Sequence, residues 1–195
     1  LKGCSSFNKN LDFDFTDLVE TFAKELCMDC ISLNPASTIE LDLSRCLDGS
    51  NLFYNCSSLN QSVNIMTDSM TKYDMMFYGT SIGQGKVITL NTNNAVTMKG
   101  IFAHTNNFGA DLSSFYTPLV TDFSYICYSS NNFTSDLSFI ETDECKNISY
   151  GFANSNYNGI GLRYWNMTKT TNFLSCFENS EFNQPLNWVT TVGSN

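Results

Sequence analysis

The chain has 195 residues, enough for one sizeable domain with a substantial buried core. It carries 10 Lys and Arg residues against 19 Asp and Glu, a formal net charge of −9. This acidity disfavours nucleic acids and anionic membrane surfaces as partners, because both recruit basic surfaces.

The predicted elements begin with short runs in which apolar and polar residues alternate. Alternation over three to five residues is typical of a strand with one buried face. Eight such runs follow one another from Leu11 to Val189, and their sequences are LDFDF, IELDL, VNI, KVITL, DLSSF, DLSFI, LRYW and LNWV.

Between these runs the apolar residues lie three or four positions apart. Val120, Phe123 and Cys127 show this spacing, which predicts a short helix or a single helical turn with one buried stripe. The segment before each run therefore has a different periodicity from the run itself. One strand and one helical segment alternate along the chain.

The whole pattern repeats about every 25 residues. An aromatic residue opens most copies, and Cys27 and Cys127 take its place in two of them; the aromatic residues are Phe53, Phe77, Phe102, Phe152 and Phe177. We count eight copies, the first and last incomplete. They predict one domain over residues 1–195, an α/β solenoid of leucine-rich-repeat type with a parallel sheet on one side and helical segments or turns on the other. The incomplete end copies are also consistent with a fragment of a longer array.

Two segments identify a family resemblance. FYNCSSLNQSVNI begins at Phe53 and FENSEFNQPLNW begins at Phe177. Both are similar to the repeats of BspA-like leucine-rich-repeat surface proteins, in the Asn-rich branch typical of mycoplasma surface lipoproteins and also found in protists and viruses. The resemblance implies an extracellular solenoid used for adhesion or surface display. It carries over no catalytic residue.

The eight cysteines indicate an oxidising compartment, and their positions suggest pairs. Cys4, Cys30 and Cys56 form a column one copy apart, so Cys4–Cys30 or Cys30–Cys56 is a feasible disulfide. A reduced stack of small buried residues is the equal alternative. Two further pairs are predicted where a cysteine replaces the opening aromatic residue, namely Cys27–Cys46 and Cys127–Cys145.

Other candidate residues lie on the predicted surface. Four carboxylates on the first two runs face outward and form either a solvated acidic face, a patch for a basic partner or a weak Ca²⁺ site, namely Asp12, Asp14, Glu40 and Asp42. Five Asn-x-Ser/Thr sequences are glycosylation candidates, at Asn55, Asn60, Asn132, Asn147 and Asn166. Tyr116 and Tyr164 are candidates for a sugar-binding or protein-binding surface.

No constellation of catalytic residues accompanies these features, and we expect no enzyme and no cofactor. The single histidine, His104, lies in a turn without a nucleophile motif. No apolar run reaches the ~18–20 residues that span a bilayer, and the opening LKGCSS lacks a signal-peptide core, so we expect a mature product or a piece of a longer chain.

The expected function is non-enzymatic recognition of proteins or glycans, with adhesion, at an extracellular, cell or virion surface. The alternative is a structural assembly component, such as a capsid, filament or cell-wall subunit. In that case the open solenoid ends and sides would make permanent contacts between molecules.

Overall fold

The computed structural model describes residues 1–11, 13, 23–159 and 161–190. Its regular elements are three short strands and one 3-10 helix, namely β1 (Ile39–Asp42), β2 (Val63–Met66), β3 (Ile88–Leu90) and η1 (Leu162–Tyr164). The strands form one open parallel sheet in the order β1-β2-β3. Its register pairs Val63 with Ile39 on one side and with Ile88 on the other, so equivalent positions of neighbouring copies lie side by side.

The strands form where the alternation of apolar and polar residues is strongest. In β1, Ile39 and Leu41 are buried while Glu40 is exposed, and β2 and β3 repeat this alternation. Three of the predicted runs, IELDL, VNI and KVITL, are therefore confirmed as strands. Most of the first run lies outside the described residues.

The predicted α/β solenoid of leucine-rich-repeat type is wrong. The described residues contain no α-helix, and their only strands are the three of the open sheet. Eight stacked copies, each with a strand and a helical segment, are not present in the part of the chain that the structure describes. The runs DLSSF and DLSFI contain turns, LRYW contains η1, and LNWV has no regular element.

Side-chain hydrogen bonds explain why the later runs are not strands. The Asp111 carboxylate accepts the Ser113 backbone N–H at 2.8 Å, and Asp136 accepts that of Ser138 at the same distance. Such Asx turns offer the backbone an alternative to a sheet. The Phe115 N–H then bonds to the Leu112 carbonyl at 2.9 Å and closes a turn.

A repeated backbone conformation explains why the predicted helices do not form. In successive copies two left-handed residues lie four positions apart, as at Tyr125 (φ 60°) and Ser129 (φ 51°), and they interrupt any helix. The N–H groups of Tyr125 and Cys127 donate to carbonyls of the next copy, at Ser149 (3.0 Å) and Gly151 (2.8 Å). The three- or four-residue spacing of the buried residues is therefore produced by consecutive turns and not by a helix.

These turns are joined in parallel over most of the described chain. The bridged positions are 24 or 25 residues apart, and they run through Asp48, Lys72, Thr97, Asp122, Asn147 and Asn172. The hydrogen bonds therefore follow the spacing of the sequence repeat, although the elements differ from those predicted. We call this part the turn side of a copy. The run side extends from the large apolar residue five or six positions after the opening residue through the alternating run, and it begins at Phe133, Tyr157 and Phe182 in the sixth, seventh and eighth copies.

Columns of equivalent side chains fill the core. The Phe77 ring is stacked between Phe53, at 5.8 Å between centroids, and Phe102, at 6.2 Å. All three side chains are fully buried. Burial of each such side chain stabilises the fold by about 1.5–3 kcal/mol.

A second column, of buried threonines, satisfies partly buried backbone groups. The Thr117 hydroxyl donates to the Glu141 carbonyl at 2.9 Å and accepts the Glu141 N–H at 2.9 Å, and Thr67 and Thr92 make the same pair of bonds one copy on. The column changes at Thr142. Its buried hydroxyl has no hydrogen-bond partner within the described residues.

Candidate binding cleft

A cleft of about 710 Å³ lies between the sixth, seventh and eighth copies. Its walls come from the ranges 132–136, 156–159, 161–164 and 184–185. A volume of 300–1,000 Å³ is typical of sites for small ligands. The cleft is on the run side, where the regular strands have given way to turns and η1.

Two glycines shape the middle of this cleft. Gly159 (φ 81°) and Gly161 (φ 98°) have left-handed backbones that disfavour other residues. A Cβ atom on Gly161 would lie 2.2 Å from the Ser138 nitrogen, and one on Gly159 would lie 2.3 Å from the Phe182 ring. The seventh copy can therefore press against both neighbours only because these positions lack a side chain.

Gly161 is also the residue from which η1 begins, and η1 presents an aromatic ring and a cation to the cleft. Tyr164 is 64% exposed, the exposure expected of a contact residue and not of a core residue. The Arg163 guanidinium lies over the ring, 4.7 Å from its centroid, and donates to the Tyr164 hydroxyl. This stacking restricts both side chains before any ligand arrives.

Side-chain amides line the two flanks. Asn156 Oδ1 accepts the Asn132 backbone N–H at 2.7 Å. On the other flank, Asn158 Oδ1 accepts the Asn183 N–H at 3.4 Å and the Gln184 Nε2 group at 3.5 Å. These bonds join neighbouring copies and hold the amides in position. The cleft thus combines apolar and aromatic surface with amide groups that both donate and accept hydrogen bonds.

The structure separates the two tyrosines that the sequence nominated. Tyr116 is 50% exposed but lies outside the cleft, whereas Tyr164 lines it. The sequence analysis missed Arg163, Asn156 and Asn158. The sequence feature that could have indicated these residues is the segment NYNGIGLRYW, residues 156–165, which contains two glycines and an arginine and departs from the pattern of the other copies.

The predicted acidic cluster falls partly outside the described residues, which exclude Asp12 and Asp14. Glu40 accepts a hydrogen bond from the Asn64 amide at 2.6 Å, and Asp42 accepts the Ser44 N–H at 3.0 Å. Within the described ranges, no three His, Cys, Asp or Glu side chains are grouped so as to hold a metal ion. The Ca²⁺ site stays a prediction.

All eight cysteines are free thiols in the structure, so the four disulfide pairings stay predictions. The Cys56 thiol donates to the Cys27 carbonyl at 2.9 Å. In the equivalent position of a later copy, the Ser130 hydroxyl donates to the Phe102 carbonyl at 2.6 Å. The Cys56 thiol therefore occupies the place of a hydroxyl donor. Cys30 and Cys56 are buried while Cys4 is exposed, and the reduced stack stays an alternative.

Burial governs the ionisation of the remaining cysteines. It raises the pKa of the Cys27 thiol to about 12 and that of Cys145 to about 11, and it raises the pKa of Cys127 well above its ordinary value. Thiols with raised pKa values are poor nucleophiles near neutral pH. Their positions are those of core residues, and we assign them no chemistry.

The glycosylation candidates differ in accessibility. Asn60, Asn132 and Asn166 are exposed, while Asn55 and Asn147 are half-buried. Asn147 is a bridged position on the turn side, and its side chain accepts the Ser149 N–H at 3.0 Å. All five stay predictions, and the exposed three present their side chains best to a modifying enzyme.

A row of stacked surface rings runs along the turn side and was not predicted. Tyr54 and Tyr78 stack with 4.2 Å between centroids, and His104 follows at 4.8 Å from Tyr78 and 5.4 Å from Tyr128. Burial raises the pKa of Tyr78 to about 12 and lowers the pKa of His104. Because the rings stack on one another, the row ties adjacent copies together.

Comparison with known proteins places the chain in a family. The family described as "Mycoplasma protein of unknown function, DUF285" matches residues 1–86 and 48–162, which together span most of the chain. The chain belongs to this family. No curated protein and no solved structure matches it.

This membership agrees with the mycoplasma branch of the resemblance. It does not bear on the BspA-like leucine-rich-repeat relation or on adhesion. Within the described residues, no helix is long and apolar enough to cross a membrane.

Proposed function

We propose that this chain is a non-enzymatic recognition module at an extracellular, cell or virion surface, where it binds a protein or a glycan and serves adhesion. The cleft is the observation that carries the proposal. It combines an exposed aromatic ring, one cation and several oriented amides. Ligand sites typically combine such a contact surface with a few positioned polar groups.

The chemistry of the cleft supports binding more than turnover. Its ionisable side chains are Asp136, Arg163 and two tyrosines. The Asp136 carboxylate accepts the Ser138 N–H, and the Arg163 guanidinium is stacked on Tyr164. Neither arrangement pairs a nucleophile with a base. A relation to BspA-like surface proteins is consistent with this role and is part of the proposal.

An array of immobilised extracellular proteins and glycans tests the proposal. We expect the purified chain to bind at least one class of ligand, and we expect the double variant Arg163→Ala/Tyr164→Ala to lose at least tenfold in affinity. Tyr116→Ala is the matched control, because it removes another exposed tyrosine that lies outside the cleft. The proposal is overturned if nothing binds, or if the double variant binds as well as the control.

A second candidate is the structural assembly component. In the eighth copy Phe177 and Trp188 are only half-buried, whereas the equivalent Phe152 and Trp165 are buried. Half-buried aromatic residues offer area for a permanent contact. Light scattering separates the two candidates, since a stable monomer at micromolar concentration supports recognition and obligate oligomers support assembly.

A further inference from the structure

We propose that the cleft binds a neutral saccharide, with the Tyr164 ring as the platform for a sugar ring. This inference rests on the proposed recognition function and specifies its ligand. The site combines an exposed aromatic surface with amides that both donate and accept hydrogen bonds. A sugar has the complementary surface, with an apolar ring face and hydroxyl groups around the edge.

The ring of Tyr164 is prepared for stacking. One face carries the Arg163 guanidinium at 4.7 Å, yet the residue stays 64% exposed, so the ring retains an open surface. A tyrosine offers a large contact area at a small cost in conformational entropy, because it has two side-chain torsions. The cation over the ring reduces that cost further by restraining it.

The amides match hydroxyl groups. Each amide supplies one acceptor and two donor hydrogens, and each sugar hydroxyl can donate and accept. Asn158 Oδ1 is held by Asn183 and Gln184. Among the described residues, no hydrogen-bond partner meets Asn158 Nδ2 or Gln184 Oε1. These two groups, one donor and one acceptor, remain for a ligand.

Charge favours a neutral saccharide over an acidic one. The cleft contains one cation, Arg163, and one anion, Asp136, so its own charges balance. The chain as a whole has a net charge of −9, which repels polyanions at long range. A sialylated or sulfated glycan would therefore approach less readily than an uncharged one.

The dimensions favour a small ligand over a protein surface. A stable protein interface covers about 800 Å² per partner around an apolar centre. This cleft is instead a recess of about 710 Å³ with amides on both flanks. A few sugar residues fill such a space, and a protein would reach it only with an extended segment.

The test is an array carrying neutral, sialylated and sulfated glycans and immobilised proteins, followed by titration of each hit as free ligand. We expect neutral glycans to dominate the hits. Tyr164→Ala should weaken binding at least tenfold, which is about 1.4 kcal/mol. Tyr164→Phe should keep most of the affinity because it keeps the ring. Tyr116→Ala should change affinity less than twofold.

The outcomes distinguish this inference from the function on which it rests. Hits confined to acidic glycans, or Tyr164→Ala equal to wild type on a neutral glycan, would overturn the saccharide assignment. Cleft-dependent binding to a protein that excess neutral glycan does not compete would also overturn it, while the recognition function would stand. Absence of any hit would overturn both. Because Tyr164 is exposed, its substitution should not unfold the chain, and circular dichroism of each variant checks this.

Discussion

The two sides of each copy differ in how strictly they repeat. On the turn side, bridged positions and left-handed residues recur at nearly constant spacing from Asp48 to Asn172. On the run side, the strands within the described residues are β1, β2 and β3, and later copies have Asx turns and η1 instead. The backbone bonds of the turn side keep the copies in register, and the run side is free to vary.

This difference explains where the candidate site lies. The turn side must reproduce two left-handed positions and their bonds to the next copy, which restricts its shape. The run side of the seventh copy has instead acquired Gly159, Gly161 and a 3-10 helix, and these create the cleft. Binding residues are often found on irregular segments that a rigid scaffold holds in position, because the stability of the scaffold does not depend on the shape of those segments.

The largest expected effect comes from breaking the core that both sides share. Phe102→Ala removes a fully buried ring that stacks on Phe77 and contacts Phe108 and Phe133. We expect unfolding free energy to fall by about 3–5 kcal/mol, because a cavity remains. Urea unfolding measures it. Phe139→Ala, at an exposed ring, should change stability by less than about 0.5 kcal/mol. Equal effects of the two variants would contradict the assignment of the core.

The threonine column offers a matched pair in two neighbouring copies, Thr117 and Thr142. Thr117→Val removes a hydroxyl that makes two bonds to Glu141, and we expect a loss of about 1–3 kcal/mol because two hydrogen bonds to partly buried backbone groups are lost. Thr142→Val removes a hydroxyl for which the described residues provide no partner, so stability should stay unchanged or rise. Thermal unfolding of both variants checks this. A larger loss for Thr142→Val would show that its hydroxyl is bonded in solution.

The left-handed turns predict a smaller effect. Gly79 has φ 68°, and an added Cβ would approach Asn55 Cα only to 3.4 Å, so the cost of Gly79→Ala is conformational. We expect a loss of about 1 kcal/mol. Gly83→Ala is the control, with an ordinary φ and a nearest contact of 3.4 Å, and it should be neutral or slightly stabilising. Denaturant midpoints that rank the two variants the other way would refute the regular turn conformation.

The smallest expected effect concerns the cysteine column. Cys56→Ser keeps a donor to the Cys27 carbonyl, and serine already occupies the equivalent position 130, so stability should change by less than about 1 kcal/mol. Urea unfolding with and without a reducing agent measures it. If the Cys30–Cys56 disulfide forms, the substitution should instead cost about 2–5 kcal/mol and only under oxidising conditions. Counting reactive thiols in the unfolded chain provides an independent check.

Much of the core was predictable from the sequence because burial follows the apolar pattern. The opening residues Phe53, Phe77 and Phe102 are fully buried, and the runs IELDL, VNI and KVITL contain the strands. The backbone conformation between the runs, where turns form instead of the predicted helices, was not predictable in the same way. A spacing of three or four describes both a helix and a series of turns, and residues such as Tyr125 give no sign of a left-handed backbone.

The candidate site was predictable only in part. Exposure of Tyr116 and Tyr164 was expected, but their sequence context could not distinguish them. The distinction depends on Arg163, on the glycines beside η1 and on amides from copies about 25 residues away. Those contacts exist only once three copies lie side by side.

The sequence by itself determined the period of the chain, the identity of its core columns and its acidic, amide-rich surface. Each of these follows from the order of apolar and polar residues, because the hydrophobic effect buries the apolar ones and leaves the polar ones exposed. The tertiary structure alone decided that turns replace helices, that the sheet ends after β3 and that Tyr164 faces a cleft. These features depend on whether backbone groups form hydrogen bonds within one copy or with the next copy. The local pattern of apolar and polar residues does not determine which hydrogen bonds form.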